Sequence, residues 1–575
     1  MKISKRLNCS TLALILLGVS ILSCVQYQKA LHNTEQFHNV IVLIPDGCGT
    51  AHMTIARWFK GAPLAQDSMA VSVVQTYCAN SMITGSAAAT TAFASGFKTW
   101  EDARKAACLA MHADSLLLPT PKELPALEKW RPGATVLEGA RLTGRSVGLV
   151  ATSRITHATP AGYASHWHAR DDESIIMEQM VYNGVDIAFG GGFRYLINAD
   201  TKIPGVSYKG VRKDGDNLYE VLKSLGYEVI TTEDELNAIQ PQVSKVWGMF
   251  AASHMAFNID QPLFAPQQPS LVKMTKKAIE ILSKNPKGFF LMVEGSHVDW
   301  ASHDNDPVGV VTEYLAFDQA VEVALDFARS HSEQRTLVLV FPDHDNGGMS
   351  LGRNDVDTYE FEPEDMNRIL RGASLTADGV EWLLLKCVRD VGLIPDSIEN
   401  IIARYYGFTN QTETEEQEIF AELADTTYVN VREIIGSMMS ERAGIGWTTF
   451  DHTGNDVPMF SYGLSRAPQT IDNTEIAYLC AKAMGFQLSE ITDRLFADAC
   501  TIFGDATLAI DTAGVESSEG YLTVSKNAKQ AVFPFFKNIM IIGHDTIPFE
   551  GITVYSPNAN RVFLPEKAAE LFAKY

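Results

Sequence analysis

The segment Glu294-Gly295-Ser296-His297-Val298-Asp299-Trp300-Ala301-Ser302-His303 places three potential metal ligands directly after one apolar run, Phe289-Phe290-Leu291-Met292-Val293. A second run, Leu337-Val338-Leu339-Val340-Phe341, delivers Asp343-His344, and His452 follows in a Thr-Gly-Asn-Asp context. Carboxylate oxygens and imidazole nitrogens together suit zinc, and a catalytic zinc needs only three protein ligands, with a position left for water or substrate. The ligands suffice for two ions.

The elements that must position these groups follow from the same pattern. Val40-Ile41-Val42-Leu43-Ile44 ends in Pro45-Asp46-Gly47, and Val147-Gly148-Leu149-Val150 runs on into Thr152 through Thr159, which includes His157. Short apolar runs bounded by Gly or Pro are consistent with buried strands of a parallel sheet. In open α/β sheets, ligands bind beyond the carboxyl ends of the strands, so residues distant in sequence converge there. A single Asp or His at a strand end is usually a hydrogen-bonded bystander; four runs ending alike argue for a site.

Between the first two runs lies Ile83-Thr84-Gly85-Ser86-Ala87-Ala88-Ala89-Thr90. The alanines have high helix propensity and put Ser86 at or near a helix N-terminus, where free backbone N–H groups favour a phosphate dianion. Taken alone, the segment reads better as an Ala-rich packed helix with a Ser cap; the neighbouring ligand runs favour the nucleophile.

With these motifs together, the chain resembles the alkaline phosphatases, two-zinc phosphomonoesterases with a serine nucleophile. The resemblance covers most of residues 38–353 plus the region around His452. It rests on the Glu-x4-Asp-x3-His spacing, the Asp-His pair, the His-Thr-Gly-x-Asp stretch and the Ser-Ala-Ala run, which occur in the family's order. The resemblance implies that Asp46, Asp343 and His344 hold the zinc that activates Ser86, and that Asp299, His303 and His452 hold the second zinc. It implies a third divalent ion, magnesium or another, at His157, Thr159 and Glu294, with Asp46 bridging toward it. Arg170 falls where the family's phosphate-clamping arginine stands. The implied reaction is hydrolysis of phosphate monoesters through phosphoserine, with zinc activating the hydroxyl and stabilising the departing alkoxide.

Three positions depart from the family pattern. Gly85 replaces the usual Asp before the serine, which puts the orientation of Arg170 in question. His157 stands where some members have Asp; magnesium prefers oxygen ligands, so zinc could occupy that site, or His157 could lie beside the ion. Trp300 follows Asp299 where some relatives carry Lys or His near the phosphate, and an indole supplies no charge. Cys48, two residues after Asp46, reads as a small buried filler.

At 575 residues the chain is ample for one large α/β domain with insertions. The expected fold is α/β, with a large, mostly parallel central sheet flanked by helices. The metal-bearing core spans 38–354 and is completed by 442–499 with His452. A helix-rich, acidic insertion occupies 355–441, and a C-terminal extension of unassigned role occupies 500–575. Helical periodicity marks Ser270 to Ser283, Thr232-Glu233-Asp234-Glu235 carries a capping-box pattern, and Gly190-Gly191-Gly192 reads as a tight turn rather than a nucleotide loop.

The formal charge of -22 argues against nucleic-acid phosphates as partners, although bound cations would still let a pocket accept a small phosphate ester. Residues 1–23 combine a basic start with a short apolar core, a secretory signal rather than a spanning helix. Ile21-Leu22-Ser23-Cys24 resembles a bacterial lipobox, so an exported protein in the periplasm or anchored to the cell envelope through a lipid on Cys24 is expected, with 24–37 as a linker. Cleavage as an ordinary signal peptide is the alternative. The six cysteines beyond this segment, Cys48, Cys78, Cys108, Cys387, Cys480 and Cys500, fit no recognisable disulfide framework. A homodimer is compatible with the sequence. Two further readings stay open: a phosphodiesterase or sulfatase with a related metal core, and a non-catalytic surface binder of metal or phosphate.

Overall fold

Continuous apolar runs become strands buried on both faces. In the computed structural model, which describes residues 36–100, 109–115, 117, 123–125, 128–354, 362–425, 429–513 and 519–575, ten strands form one sheet. They are β1 (Asn39–Pro45), β2 (Ala70–Gln75), β3 (Ser146–Arg154), β4 (Ile187–Gly191), β5 (Glu228–Ile230), β6 (Val246–Ala251), β7 (Phe289–Gly295), β8 (Thr336–Val340), β9 (Val457–Tyr462) and β10 (Thr470–Asp472). Their spatial order is β10-β2-β9-β8-β1-β7-β3-β4-β6-β5, and β9 alone runs antiparallel to its neighbours. The expected signal segment, Cys24, Cys108 and the start of the insertion lie outside the described residues.

Alternation along β1 explains the layers. Val40, Val42 and Ile44 join one core, whereas Ile41 and Leu43 join the core on the opposite face. The first core is roofed by α2 (Ser86–Ser95) and the helix Thr474–Met484, the second by the helix Leu271–Leu282 and α5 (Pro307–Ser330). Each large aliphatic side chain buried in this way contributes roughly 1.5–3 kcal/mol, so neither face of the sheet can be left open. Cys48 packs in the second core, as its reading as a filler required.

Local signals set the helix ends. Ser270 Oγ accepts from Lys273 N at the start of Leu271–Leu282, and Thr232 and Glu235 form the reciprocal box that starts Glu233–Ala238. After β4 only a short 3-10 turn, Phe193–Tyr195, follows, so the triple glycine serves a turn.

Between β8 and β9, five helices (Pro363–Leu370, Ala377–Val391, Pro395–Tyr406, Glu413–Ala424 and Val431–Arg442) gather around Leu384, Ile398, Ile402, Ile435 and Met439. This core continues into Ile55 of α1 (Thr50–Lys60) and Val308 and Val311 of α5. Beyond residue 500, the strands Thr507–Asp511, Tyr521–Lys526, Lys529–Pro534, Ile539–Ile542 and Asp545–Pro548 form an antiparallel sheet. Its Leu522, Val524, Phe533 and Met540 merge with the first core. Among the described residues no helix is long and apolar enough to cross a membrane, and Cys48, Cys78, Cys387, Cys480 and Cys500 are unpaired.

Candidate metal centre

Register brings the expected residues to one edge of the sheet. β1 pairs in parallel with β7, opposing Ile44 to Glu294 and Pro45 to Gly295, and with β8, opposing Leu43 to Val340. Asp46, Glu294 and Asp343-His344 therefore leave three adjacent strands side by side. Asp299 and His303 lie one turn apart on α4 (His297–His303), which starts immediately after β7. His452 arrives from the strand before β9, paired with Asn346. The chain can come this close only because residue 47 is glycine: with φ at +65°, a Cβ there would stand 2.3 Å from Asp299 Oδ1.

Three overlapping ligand clusters result. Asp46, Asp343 and His344 offer atoms within 4.8 Å of one another, as do Asp46, His157 and Glu294, and Asp299, His344 and His452. The first two match the expected groupings. The third joins His344 to Asp299 and His452, and His303 stands beside the same pair, its Nε2 3.5 Å from Asp299 Oδ2 and its ring centroid 5.1 Å from that of His452. His344 thus stands between the two expected zinc positions, its ring stacked on His452 with centroids 3.7 Å apart. Ser86 is the first residue of α2, with Gly85 as its cap, and its Oγ lies 3.3 Å from His344 Nε2. Thr159 is fully buried beside His157 at the start of a short helix.

The donor set fits cations. Both oxygens of Asp46, Glu294 Oε1, His157 Nδ1 and Thr159 Oγ1 are buried without a hydrogen-bond partner among the described residues. Such orphans are costly unless something coordinates them. Burial, reinforced by Asp343, Asp299 and Glu294, holds the Asp46 carboxyl well above the usual range, and burial pushes Glu294 up to about 7. Burial and the nearby Arg170 and Arg154 keep His157 neutral; burial with His344 lowers His452 to about 4, which leaves the lone pair of His452 Nε2 free to ligate. His303 is raised to about 9: burial lowers it, but Asp299 prevails. Divalent ions would compensate the converging carboxylates and displace that proton.

Supporting contacts that spacing did not reveal fix the ligands. Asn346 Nδ2 donates to Asp299 Oδ1 at 2.8 Å, and Ser153 Oγ to Glu294 Oε2 at 3.3 Å. Carbonyl oxygens of Thr84 and Phe450 lie 2.9 and 2.5 Å from the Nδ1 atoms of His452 and His303, which directs each Nε2 toward Asp299. Such outer partners set tautomer and ring orientation in metal sites. Arg170 Nη2 lies 3.0 Å from His157 Nε2. Trp300 packs between His297 and His254, with ring centroids 4.5 and 4.1 Å away.

A buried serine at a helix start, facing a carboxylate and imidazole cluster beyond a doubly covered α/β sheet, defines the class as a hydrolase that works on anionic esters. The chain belongs to the alkaline phosphatase family, whose model, described as alkaline phosphatase, matches residues 37–486. It is 33% identical over 485 residues to alkaline phosphatase 3 of Bacillus subtilis, covering 81% of this chain and 93% of that protein. It is 29% identical over 540 residues to the repressible alkaline phosphatase of Saccharomyces cerevisiae, covering 87% and 90%. Among solved structures, Thermus thermophilus alkaline phosphatase superposes with a TM-score of 0.67 at 25% identity, covering 80% of this chain and 95% of that one. A cold-active enzyme from Shewanella superposes at 0.62 with 27% identity, covering 78% and 98%. The protein is therefore a phosphoric monoester hydrolase.

Proposed function

We propose that this enzyme hydrolyses phosphate monoesters through a phosphoserine on Ser86, within a site that takes two zinc ions and a third divalent ion. The observation that carries the reading is the convergence of Ser86 Oγ on His344, the residue shared by two of the ligand clusters. Asp46, Asp343 and His344 would hold one ion, Asp299, His452 and His303 the second, and His157, Thr159 and Glu294 the third, magnesium or another divalent metal. When bound, these ions supply the positive charge that activates the serine hydroxyl and stabilises the leaving oxygen.

The chain's own residues do the rest. Ser86 Oγ attacks phosphorus as the bond to the alcohol breaks, and water then cleaves the phosphoserine to release inorganic phosphate. The free N–H groups at the start of α2 face the phosphoryl oxygens, and Arg170 grips two of them with its planar guanidinium. Binding and positioning account for most of what phosphoryl transfer asks of a protein. The N-terminal segment supports export, with a lipid on Cys24 anchoring the enzyme to the cell envelope.

The test is turnover of phosphate monoesters, phosphodiesters and sulfate esters on metal-analysed protein. Monoester turnover exceeding the others by orders of magnitude is expected. A preference for diesters or sulfates would replace the reading with a phosphodiesterase or sulfatase, and failure on all three would leave a metal or phosphate binder.

A further inference from the structure

The carboxylates of Glu178, Asp214 and Asp216 lie close enough together to hold a cation, but two side chains already neutralise them. Arg212 stands 3.2 Å from Glu178 and also pairs with Asp214. Lys537 Nζ lies 3.1 Å from Glu178 Oε1 and 3.0 Å from Asp216 Oδ2. Lys537 comes from the turn between the strands Lys529–Pro534 and Ile539–Ile542 of the C-terminal sheet, beyond the family match that ends at residue 486. The extension thus places a fixed cation in the flank of the core.

The residue before it makes a second contact. Phe536 is fully buried with φ at +64°, a conformation that bulky residues rarely adopt and that persists only where the surroundings over-determine it. Its N–H donates to Thr553 O at 2.7 Å, and Thr553 N–H donates to Lys537 O at 3.0 Å. So held, the Phe536 ring meets Trp167 in an edge-on arrangement with centroids 5.1 Å apart.

Trp167 and Glu178 bracket Arg170. Trp167 Nε1 donates to Asp172 Oδ2 at 2.7 Å, its carbonyl accepts from Leu109 N at 2.8 Å, and Asp172 N donates to Ala169 O at 3.3 Å. The loop carrying Arg170 is therefore closed on itself by Trp167 and Asp172. It runs directly into α3 (Glu173–Asn183), which carries Glu178. Two consecutive residues of the extension grip the two ends of the segment.

We propose that Phe536 and Lys537 are positioning residues for Arg170: through Trp167 and Glu178 the C-terminal extension fixes the loop from which the guanidinium reaches the phosphate. The inference rests on the reading of Arg170 as the phosphate clamp. Its physical basis is entropy: without a carboxylate at Gly85, the arginine relies on a rigid backbone to limit the freedom it loses on binding.

The experiment is a double-mutant cycle on full-length, metal-replete enzyme, reading inhibition by inorganic phosphate, KM and kcat separately, with metal content and thermal unfolding as controls. Phe536→Leu and Lys537→Met, singly, are each expected to raise the phosphate inhibition constant roughly three- to tenfold, within the coupling range of neighbouring groups. Metal content should be unchanged, and Lys537→Arg should restore much of the Lys537→Met loss. In the Arg170→Ala background both substitutions should have almost no further effect. Effects of equal size with and without Arg170, or no effect on phosphate inhibition in folded, metal-replete variants, would overturn the brace while leaving the clamp intact. If Phe536→Leu fails to fold, Lys537→Met decides alone, because that side chain is partly exposed. Arg170→Ala with unchanged phosphate inhibition would overturn the clamp and the brace together.

Discussion

Arg170 Nη2 lies 3.0 Å from His157 Nε2, so an imidazole orients the guanidinium. Asp172, two residues further on, spends its Oδ2 on Trp167. Gly85 has an extended backbone, φ -99° and ψ 169°, which an aspartate can adopt. Gly85→Asp should therefore add a charged partner for Arg170 and tighten inhibition by inorganic phosphate, by roughly three- to tenfold. Inhibition constants for wild type and variant check this, and the gain should vanish with Arg170→Ala.

Metal removal should abolish turnover and lower thermal stability together. The buried carboxylates of Asp46, Glu294, Asp299 and Asp343 then face one another without cations, and a ligand present at a thousand times its Kd stabilises by about 4 kcal/mol. Chelation followed by zinc readdition, with metal analysis and calorimetry, should show both properties lost and regained. Full activity in metal-free protein would contradict the mechanism.

The insertion should stabilise the end of the ligand-bearing helix α4. Arg432 bridges Asp304 at 2.9 Å and Glu381 at 2.7 Å, and Ser440 Oγ donates to Asn305 O at 2.8 Å. Gly436 lets the two segments touch, since a Cβ there would lie 2.4 Å from Asp304 O. Arg432→Ala leaves a buried carboxylate unpaired and should cost about 1–3 kcal/mol, measured by denaturant unfolding. It should also speed loss of the metal held with His303, measured by competition with a chromogenic chelator.

Asp260 gives a pH signature. It lies buried at the foot of the insertion, where burial raises its carboxyl to about 7 despite hydrogen bonds from Thr376. Its folded value lies above the unfolded value of about 3.9, so its contribution to stability is full below about pH 4 and is lost as pH rises through about 7. Asp260→Asn removes the ionisation. The Tm of the variant should gain on wild type by about 1–3 °C between pH 5 and pH 8; a constant difference would refute the assignment.

Much of this site is written in the order of apolar runs and ligands. Asp46, Glu294, Asp343 and His344 were legible because a parallel sheet brings strand ends together, and Asp299 and His303 because they follow one of those runs at the Glu-x4-Asp-x3-His spacing; that i and i+4 share a helix face explains why the spacing works. The pairing of Arg170 with His157 was not legible, since it depends on how a loop folds back over thirteen residues. Nor was His344 between the two expected zinc positions, because spacing along the chain does not fix a ring's direction. The grip of Phe536 and Lys537 on the Arg170 segment joins residues hundreds apart, and neither residue type announces it. Strand periodicity in the extension was visible in 538–542, whereas what those strands support depended on tertiary contact.

The central claim is that the phosphoryl group passes through Ser86. Rapid acid quenching of the metal-replete enzyme during turnover of a phosphate monoester, followed by digestion and peptide mass spectrometry, tests it most directly. The phosphate should appear on the peptide containing Ser86 and disappear in Ser86→Ala, which should keep its metals and lose its activity. Phosphate trapped on another residue, or undiminished turnover in Ser86→Ala, would contradict the account.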